Sequence, residues 1–74
     1  MKKEELQIII GNRIKLLRES KGMSQQDLAA ICNFEKGNMS RLEAGRTNPT
    51  VSTLYKISQA LNVTLSGLLD IEKE

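Results

Sequence analysis

The sequence contains no histidine and one cysteine, Cys32. A single cysteine cannot form a disulfide within the chain, and without histidine there is no Cys/His cluster of the kind that holds a zinc ion. We therefore expect a fold stabilised by packing alone, with no metal and no other cofactor. Because a core formed by 74 residues supplies little stability, self-association is also expected.

Groups that commonly carry catalysis are scarce as well. Besides the missing histidine, the sequence has no evident pair of carboxylates and no phosphate-binding glycine loop, so we predict that the protein is not an enzyme. No basic residue is adjacent to Cys32, and such a residue would be needed to lower the thiol pKa for redox chemistry. Cys32 is predicted to be a buried structural thiol.

Long hydrophobic runs and aromatic residues are also rare. The apolar stretch over residues 6–10 is interrupted by Gly11 and Asn12 and is too short for a signal peptide. No segment approaches the roughly 20 apolar residues of a membrane span. These features predict a cytoplasmic protein with no membrane partner. The only aromatic residues, Phe34 and Tyr55, are too few for a base-stacking platform. Both are expected in the core, with the alternative that the Tyr55 hydroxyl reaches the surface.

The formal net charge is +2, which as a total is weak evidence for a nucleic-acid partner. Its distribution is more informative. Asp70, Glu72 and Glu74 lie in the last five residues, and Glu4 and Glu5 lie near the start. The middle of the chain is therefore more basic than the total indicates.

The hydrophobic pattern predicts five helices and no strand. Apolar residues recur at spacings of three and four, which is typical of one buried helical stripe. The first helix is expected over about 4–21, and capping residues Ser24, Thr50 and Thr64 are expected to begin the second, fourth and fifth helices. The third is expected over about 36–44. We predict one all-α domain over 1–74, frayed from about residue 70. The expected apolar stripes, one for each of the five helices in chain order, are Leu6, Ile10, Ile14 and Leu17; Leu28, Ala29 and Ile31; Met39 and Leu42; Val51, Leu54, Ile57, Ser58 and Leu61; and Leu65, Leu68 and Leu69.

The segment from Gln25 to Ala44 has the spacing of a helix-turn-helix motif. Asn33 is expected to form the tight turn, because asparagine tolerates a left-handed backbone, and Asn62 is expected to end the fourth helix in the same way. Ala29 is small enough to let the two helices of the motif approach closely.

Over nearly its whole length the sequence resembles phage repressors, Cro proteins and XRE-like regulators. The resemblance is carried by two segments and their separation, IGNRIKLLRESKGMSQQDLAA and MSRLEAGRTNPTVSTLYKISQALNVTLSGLL. It implies a compact five-helix bundle with a central helix-turn-helix, the lambda-repressor-like DNA-binding domain, and sequence-specific binding of double-stranded DNA. Two positions depart from the pattern: Asn33 replaces a glycine common at the turn, and Glu35 replaces the usual Ser or Thr cap, where an acid suits the helix dipole but repels phosphate.

The DNA-facing side of the third helix follows from its periodicity. With Met39 and Leu42 facing the core, the opposite side presents small residues and one long one, Arg41, flanked by charged and polar residues. Arg41 has the length and the fork of donors for a bidentate contact with guanine. The predicted base-contacting residues are Lys36, Gly37, Asn38, Ser40 and Arg41.

The resemblance implies further roles outside this helix. Gln25, at the start of the second helix, and Arg46, Thr47 and Asn48, in the following loop, are expected to contact DNA phosphates. For Arg46, Lys36 and Arg41 the alternative is ordinary surface charge. Arg18 and Glu43 are expected to form a partly buried structural ion pair that ties the first helix to the third.

The resulting functional hypothesis is a repressor that binds a two-fold symmetric operator as a homodimer, with no small-molecule ligand. Leu65, Leu69 and Ile71 are candidate dimer contacts, and the alternative is that they complete the core. A phage switch protein, a restriction-modification controller and a free-standing regulator all remain open. An antitoxin that also binds a toxin protein is a second hypothesis, based on Ile8 and Ile9 in the N-terminal segment. A protein-binding module without DNA binding would place acids on the third helix, and Lys36 and Arg41 argue against it.

Overall fold

The computed structural model describes residues 1–71 except the side chain of Lys36. Its five helices confirm the predicted all-α architecture, and the described residues include no strand. None of the described helices is long and apolar enough to cross a membrane. The helix bounds are α1 Lys3–Ser20, α2 Gln25–Cys32, α3 Lys36–Glu43, α4 Val51–Ala60 and α5 Leu65–Leu68.

The helix starts follow the predicted capping residues. The side chains of Ser24, Thr50 and Thr64 each accept a hydrogen bond from the backbone N–H three residues later, at 3.0, 3.1 and 2.9 Å. Asn33 and Asn62 both have φ of 59°, so the two predicted left-handed turns are confirmed. Local sequence therefore determines where these helices begin and end.

The predicted frayed tail is described only in part. Glu72, Lys73 and Glu74 lie outside the described residues. At the start of the tail, the N–H of Asp70 donates to the carbonyl of Gly67 at 3.4 Å, and the N–H of Ile71 donates to Leu69 at 2.9 Å. Each of the first two tail residues thus makes one backbone hydrogen bond beyond the end of α5, without continuing the helix.

The core lies where α3 packs between α1 and α2, and where α4 packs against α2 and α5. This packing covers one side of α3 and leaves its other side open. The buried apolar residues come from all five helices: Ile14, Leu28, Ala29, Cys32, Met39, Leu42, Leu54, Ile57, Leu61 and Leu68.

Some apolar residues of the predicted stripes are not in the core. Val51 is 71% exposed and Ile31 is 60% exposed, and Tyr55, predicted to be a core aromatic, is 51% exposed. Val51 is the first residue of α4, one turn before the first buried residue of that helix. The Tyr55 hydroxyl accepts a hydrogen bond from Gln59 on the same helix, so its ring lies along the outside of α4. These predictions were wrong because apolar type alone does not show how far the neighbouring helices extend.

Candidate nucleic-acid interface

The turn between α2 and α3 sets the angle of the motif. The N–H of Asn33 donates to Ala30 at 3.2 Å, and the N–H of Phe34 donates to Ala29 at 2.8 Å. Ala29 and Cys32 are buried beneath this turn, and Phe34 is partly buried against the core. This arrangement closes the C-terminal end of α2 and starts α3 in a new direction.

The third helix has one buried side and one open side. Met39 and Leu42 are buried, as predicted from the periodicity. The open side carries exposed Gly37, Asn38, Ser40, Arg41 and Ala44. Four of the five residues predicted to contact bases therefore share one exposed surface, which we call the α3 surface. The side chain of the fifth, Lys36, lies outside the described part of the chain.

Two side chains of the α3 surface are hydrogen-bonded to each other. Arg41 Nη2 donates to Asn38 Oδ1, one helical turn earlier. A Cβ atom on Gly37 would lie 3.4 Å from Arg41 Nη1, so the guanidinium lies back along the helix above Gly37. Sequence reasoning selected all three residues but not this contact, because side-chain rotamers are not encoded in residue spacing.

The loop after α3 lies beside the α3 surface. Gly45 has a φ of 78°, and the N–H of Arg46 donates to the carbonyl of Arg41 at 2.9 Å. Arg46 and Asn48 are exposed and Thr47 is half-buried. A shallow cavity of about 220 Å³ is lined by residues of both α3 and the loop, including Asn38 and Thr47. Predicted base and phosphate contacts are thus adjacent.

Gln25 joins the start of α2 to the end of α3. Ser24 and Asp27 cap this helix reciprocally, with N–H to side-chain distances of 3.0 Å in both directions. In an α-helix the N–H groups of the first residues have no intrahelical carbonyl acceptor, so the Gln25 N–H can donate to a phosphate oxygen. The Gln25 side-chain Nε2 donates to Glu43 Oε1 at 3.0 Å. The resemblance implied a phosphate contact for Gln25 and gave no signal of this link to Glu43.

Arg18 and Glu43 form a bidentate ion pair inside the bundle. Arg18 Nε and Nη2 donate to the two carboxylate oxygens of Glu43 at 2.7 and 2.9 Å. Their side chains are 7% and 2% exposed. Arg18 Nη1 also donates to the carbonyl of Met23 at 2.6 Å. The hydrogen bonds to Glu43 raise the pKa of Arg18, so the arginine stays charged and holds α1, the following turn and α3 together.

The candidate dimer contacts lie in and after α5, and Ile71 lies near residues 9–16 of α1. Leu65 and Leu69 are partly buried and pack against the core. Ile71 is half-buried and, with Ile9 and Leu16 of α1, lines a shallow cavity of about 300 Å³.

Arg13 anchors the same region and was missed by sequence reasoning. Arg13 Nη2 donates to the carbonyl of Gly67 at 2.8 Å. The two residues are 54 positions apart, and no local pattern indicates such a contact. Arg13 therefore connects α1 to α5, next to the cavity that Ile71 lines.

Cys32 is buried, with 1% of its surface exposed. Burial raises the pKa of its thiol, while the charge of Lys56 acts weakly in the opposite direction. A neutral buried thiol is a poor nucleophile and a poor metal ligand. Within residues 1–71, no group of three or more Cys, Asp or Glu side chains could hold a metal ion.

Comparison with known proteins adds to this geometry. A family model described as helix-turn-helix (HTH_3) matches residues 14–68. The control protein C.MunI of a Mycoplasma species is 40% identical over 72 residues, covering 95% of this chain and 97% of that protein. The restriction-modification controller protein C.AhdI from Aeromonas hydrophila superposes with a TM-score of 0.81 at 28% identity, over 86% of this chain and 96% of the other. The biofilm regulator SinR, in a crystal structure with DNA, superposes with a TM-score of 0.76 at 40% identity, over 82% of this chain and 98% of the other.

Proposed function

The chain belongs to the HTH_3 family of XRE-type helix-turn-helix regulators, and from this we propose that it represses transcription by binding a two-fold symmetric operator as a homodimer. The family match and the similarity to SinR, a regulator solved in complex with DNA, identify the chain as a transcriptional regulator and not an enzyme. The chain is accordingly a DNA-binding regulator of this type. The operator symmetry, the dimer and the sign of regulation are the parts that we propose.

The observation that carries the proposal is the open α3 surface. Gly37, Ser40 and Ala44 are small and exposed, so the backbone of α3 can lie deep in a major groove. Arg41 is the longest described side chain on this surface, and its guanidinium can donate two hydrogen bonds to the O6 and N7 atoms of guanine. Lys36 is proposed to contact a base edge or a phosphate at the start of the helix.

Phosphate contacts would fix the position of α3 in the groove. We assign this role to the loop residues Arg46, Thr47 and Asn48, which lie beside the α3 surface, and to the N-terminal end of α2 at Gln25. Backbone N–H groups at a helix N-terminus favour anions. Contacts of this kind add affinity and orientation but carry no sequence information.

A homodimer follows from the number of base pairs that one helix can contact. One recognition helix touches too few base pairs to define a site, whereas two related by a two-fold axis contact half-sites about 34 Å apart. We propose that Leu65, Leu69 and Ile71 form the dimer contact. The exposed Leu16 (60%) would extend this apolar surface from the side of α1.

Repression by occlusion is the mechanism that needs the fewest assumptions. A dimer bound across a promoter excludes polymerase, and its occupancy depends on the concentration of the protein. The similarity to control protein C.MunI over nearly the full length of both sequences favours a controller, and we propose that it regulates its own gene. Such a protein works in the cytoplasm, where its operator is.

Selection of binding sites from a random pool of DNA duplexes tests the proposal. We expect the purified protein to enrich an inverted repeat with half-sites about 10 base pairs apart, and Arg41→Ala to lose its preference at one position of each half-site. A folded protein that enriches no site at low salt would refute the proposal. An enriched site without symmetry would refute the homodimer.

The N-terminal end of α1 favours a second candidate function, that of an antitoxin that also binds a protein. Met1 is 70% exposed and Ile8 is 49% exposed, and with Ile9 they line a shallow cavity. Co-expression with the product of the neighbouring gene, followed by purification of the complex, tests this function. Loss of that complex in Ile8→Ser, with operator binding retained, would support it.

A further inference from the structure

The α3 surface carries a hydrogen-bonded pair where the sequence predicts two independent base contacts. Arg41 Nη2 donates to Asn38 Oδ1, and the guanidinium lies above Gly37, with Nη1 3.4 Å from the position that a Cβ atom on Gly37 would take. All three residues are exposed. The pair therefore lies on the surface that the proposed function places in the major groove.

The hydrogen bond changes what each side chain can offer to DNA. The amide oxygen is the only acceptor of an asparagine side chain, and arginine has donors only. With Oδ1 directed at Arg41, the pair presents N–H donors outward, from Asn38 Nδ2 and from the guanidinium. Major-groove acceptors suited to such donors are guanine O6 and N7, adenine N7 and thymine O4, and guanine alone presents two of them on one base.

The same bond conflicts with the usual role of asparagine in base recognition. A bidentate contact with adenine requires the amide plane to align with the base, with Oδ1 accepting from adenine N6. In this structure the amide plane is set by Arg41. Holding a long side chain in one rotamer also lowers the entropy that it loses when it binds.

We propose that Asn38 is a positioning residue that orients Arg41 toward a guanine, and that it does not itself recognise adenine. The inference rests on the proposed function, because it requires α3 to enter the major groove. It specifies that one guanine in each half-site is recognised by the two residues acting together.

A double-mutant cycle on operator discrimination tests this inference. The affinities of wild type, Arg41→Ala, Asn38→Ala and the double variant are measured for the selected site and for sites with each base pair changed in turn. Arg41→Ala is expected to lower the preference for guanine about tenfold, the effect of one bidentate contact. Asn38→Ala should lower the preference at the same position by about threefold, a partial loss of that contact. When Asn38→Ala is added to Arg41→Ala, the preference for guanine should fall no further.

Asn38→Asp separates positioning from base recognition. A carboxylate still accepts a hydrogen bond from Arg41 but cannot donate to a base. We expect this variant to keep the guanine preference while its affinity for all sites falls, because the added negative charge faces phosphates. Gln59→Ala, on the exposed side of α4, is the matched control and should leave both the guanine preference and the affinity unchanged. Equal melting temperatures of the variants and the wild type exclude unfolding as the cause of any loss.

Two results would overturn the inference. If Asn38→Ala and Asn38→Asp both lose preference for adenine at a second position, and the loss adds to that of Arg41→Ala, Asn38 is an independent base contact and only this inference fails. If the wild-type protein selects no site at all, the proposed function fails together with it.

Discussion

Gly11 of α1 lies against the carbonyl oxygen of Leu42 in α3, so closely that a Cβ atom on Gly11 would be 2.5 Å from that oxygen. The same Cβ atom would be 2.7 Å from the carbonyl oxygen of Glu43. Both obstacles are backbone atoms, which cannot move aside like a flexible side chain. The absence of a side chain at Gly11 therefore determines how closely α1 and α3 pack, and with it the direction of the helix proposed to enter DNA.

Replacing Gly11 by alanine is expected to destabilise the protein by about 1–3 kcal/mol, the usual effect of overpacking, although alanine favours a helix by about 1 kcal/mol over glycine. Gly37→Ala is the matched control, because its Cβ would meet only Arg41 Nη1 at 3.4 Å. Urea denaturation should show Gly37→Ala to be neutral or stabilising. A stabilised Gly11→Ala would contradict the close packing described here.

The buried Arg18–Glu43 pair predicts a large effect for removing either partner. Arg18→Ala or Glu43→Ala leaves one buried charge uncompensated, which costs about 3–5 kcal/mol in the free energy of unfolding. Glu19→Ala is the control, since Glu19 is 3.9 Å from Arg18 and 56% exposed, and a surface pair of this kind is worth at most about 1 kcal/mol. Equal effects of Glu19→Ala and Glu43→Ala would show that the buried geometry is not important.

Arg46 is expected to contribute to affinity without affecting sequence preference. If each Arg46 contacts one phosphate, Arg46→Ala reduces the slope of log K against log salt by about one per subunit. The preference among operator variants should stay unchanged, in contrast to Arg41→Ala. Lys15→Ala removes an equal charge from an exposed position of α1 and should leave the slope unchanged. A loss of preference in Arg46→Ala would assign it to the base-contacting group.

The raised pKa of Cys32 predicts a dependence of stability on pH. Burial raises the pKa of this thiol above its ordinary value of 9.0, so the folded state keeps the proton that the unfolded state releases. The stabilisation is therefore complete below pH 9 and decreases as the pH rises through and above it. Urea denaturation of wild type and Cys32→Ala between pH 7 and about pH 10 should show the wild type losing stability faster. Parallel curves would contradict a buried neutral thiol.

Asn62 provides a test of the left-handed turn after α4. Its φ is 59°, a conformation in which alanine costs about 1–2 kcal/mol more than glycine. Asn62→Ala is expected to lower the free energy of unfolding by about 1 kcal/mol, and Asn62→Gly to change it little. Equal values for the two variants would show that the turn tolerates a change of backbone conformation.

Much of this fold could be predicted from the sequence because its signals are local. Ser24, Thr50 and Thr64 cap helices, and Asn33 and Asn62 end them, through hydrogen bonds and backbone preferences within a few residues. The spacing of Met39 and Leu42 identified the open side of α3 without any knowledge of its neighbours. Spacing of the same kind failed for Val51 and Ile31, since their exposure depends on where other helices end.

What the sequence alone determined, then, is the set of helices, the helix-turn-helix motif and the family, all of which depend on short-range patterns. Tertiary structure alone decided the close approach of Gly11 to Leu42, the hydrogen bond from Gln25 to Glu43 and the anchoring of Arg13 on Gly67, and a side-chain rotamer within α3 decided a fourth contact, the hydrogen bond from Arg41 to Asn38. The first three join residues that are far apart in the chain, and the fourth depends on a rotamer. Packing in three dimensions selects the first three contacts, and residue spacing does not encode them.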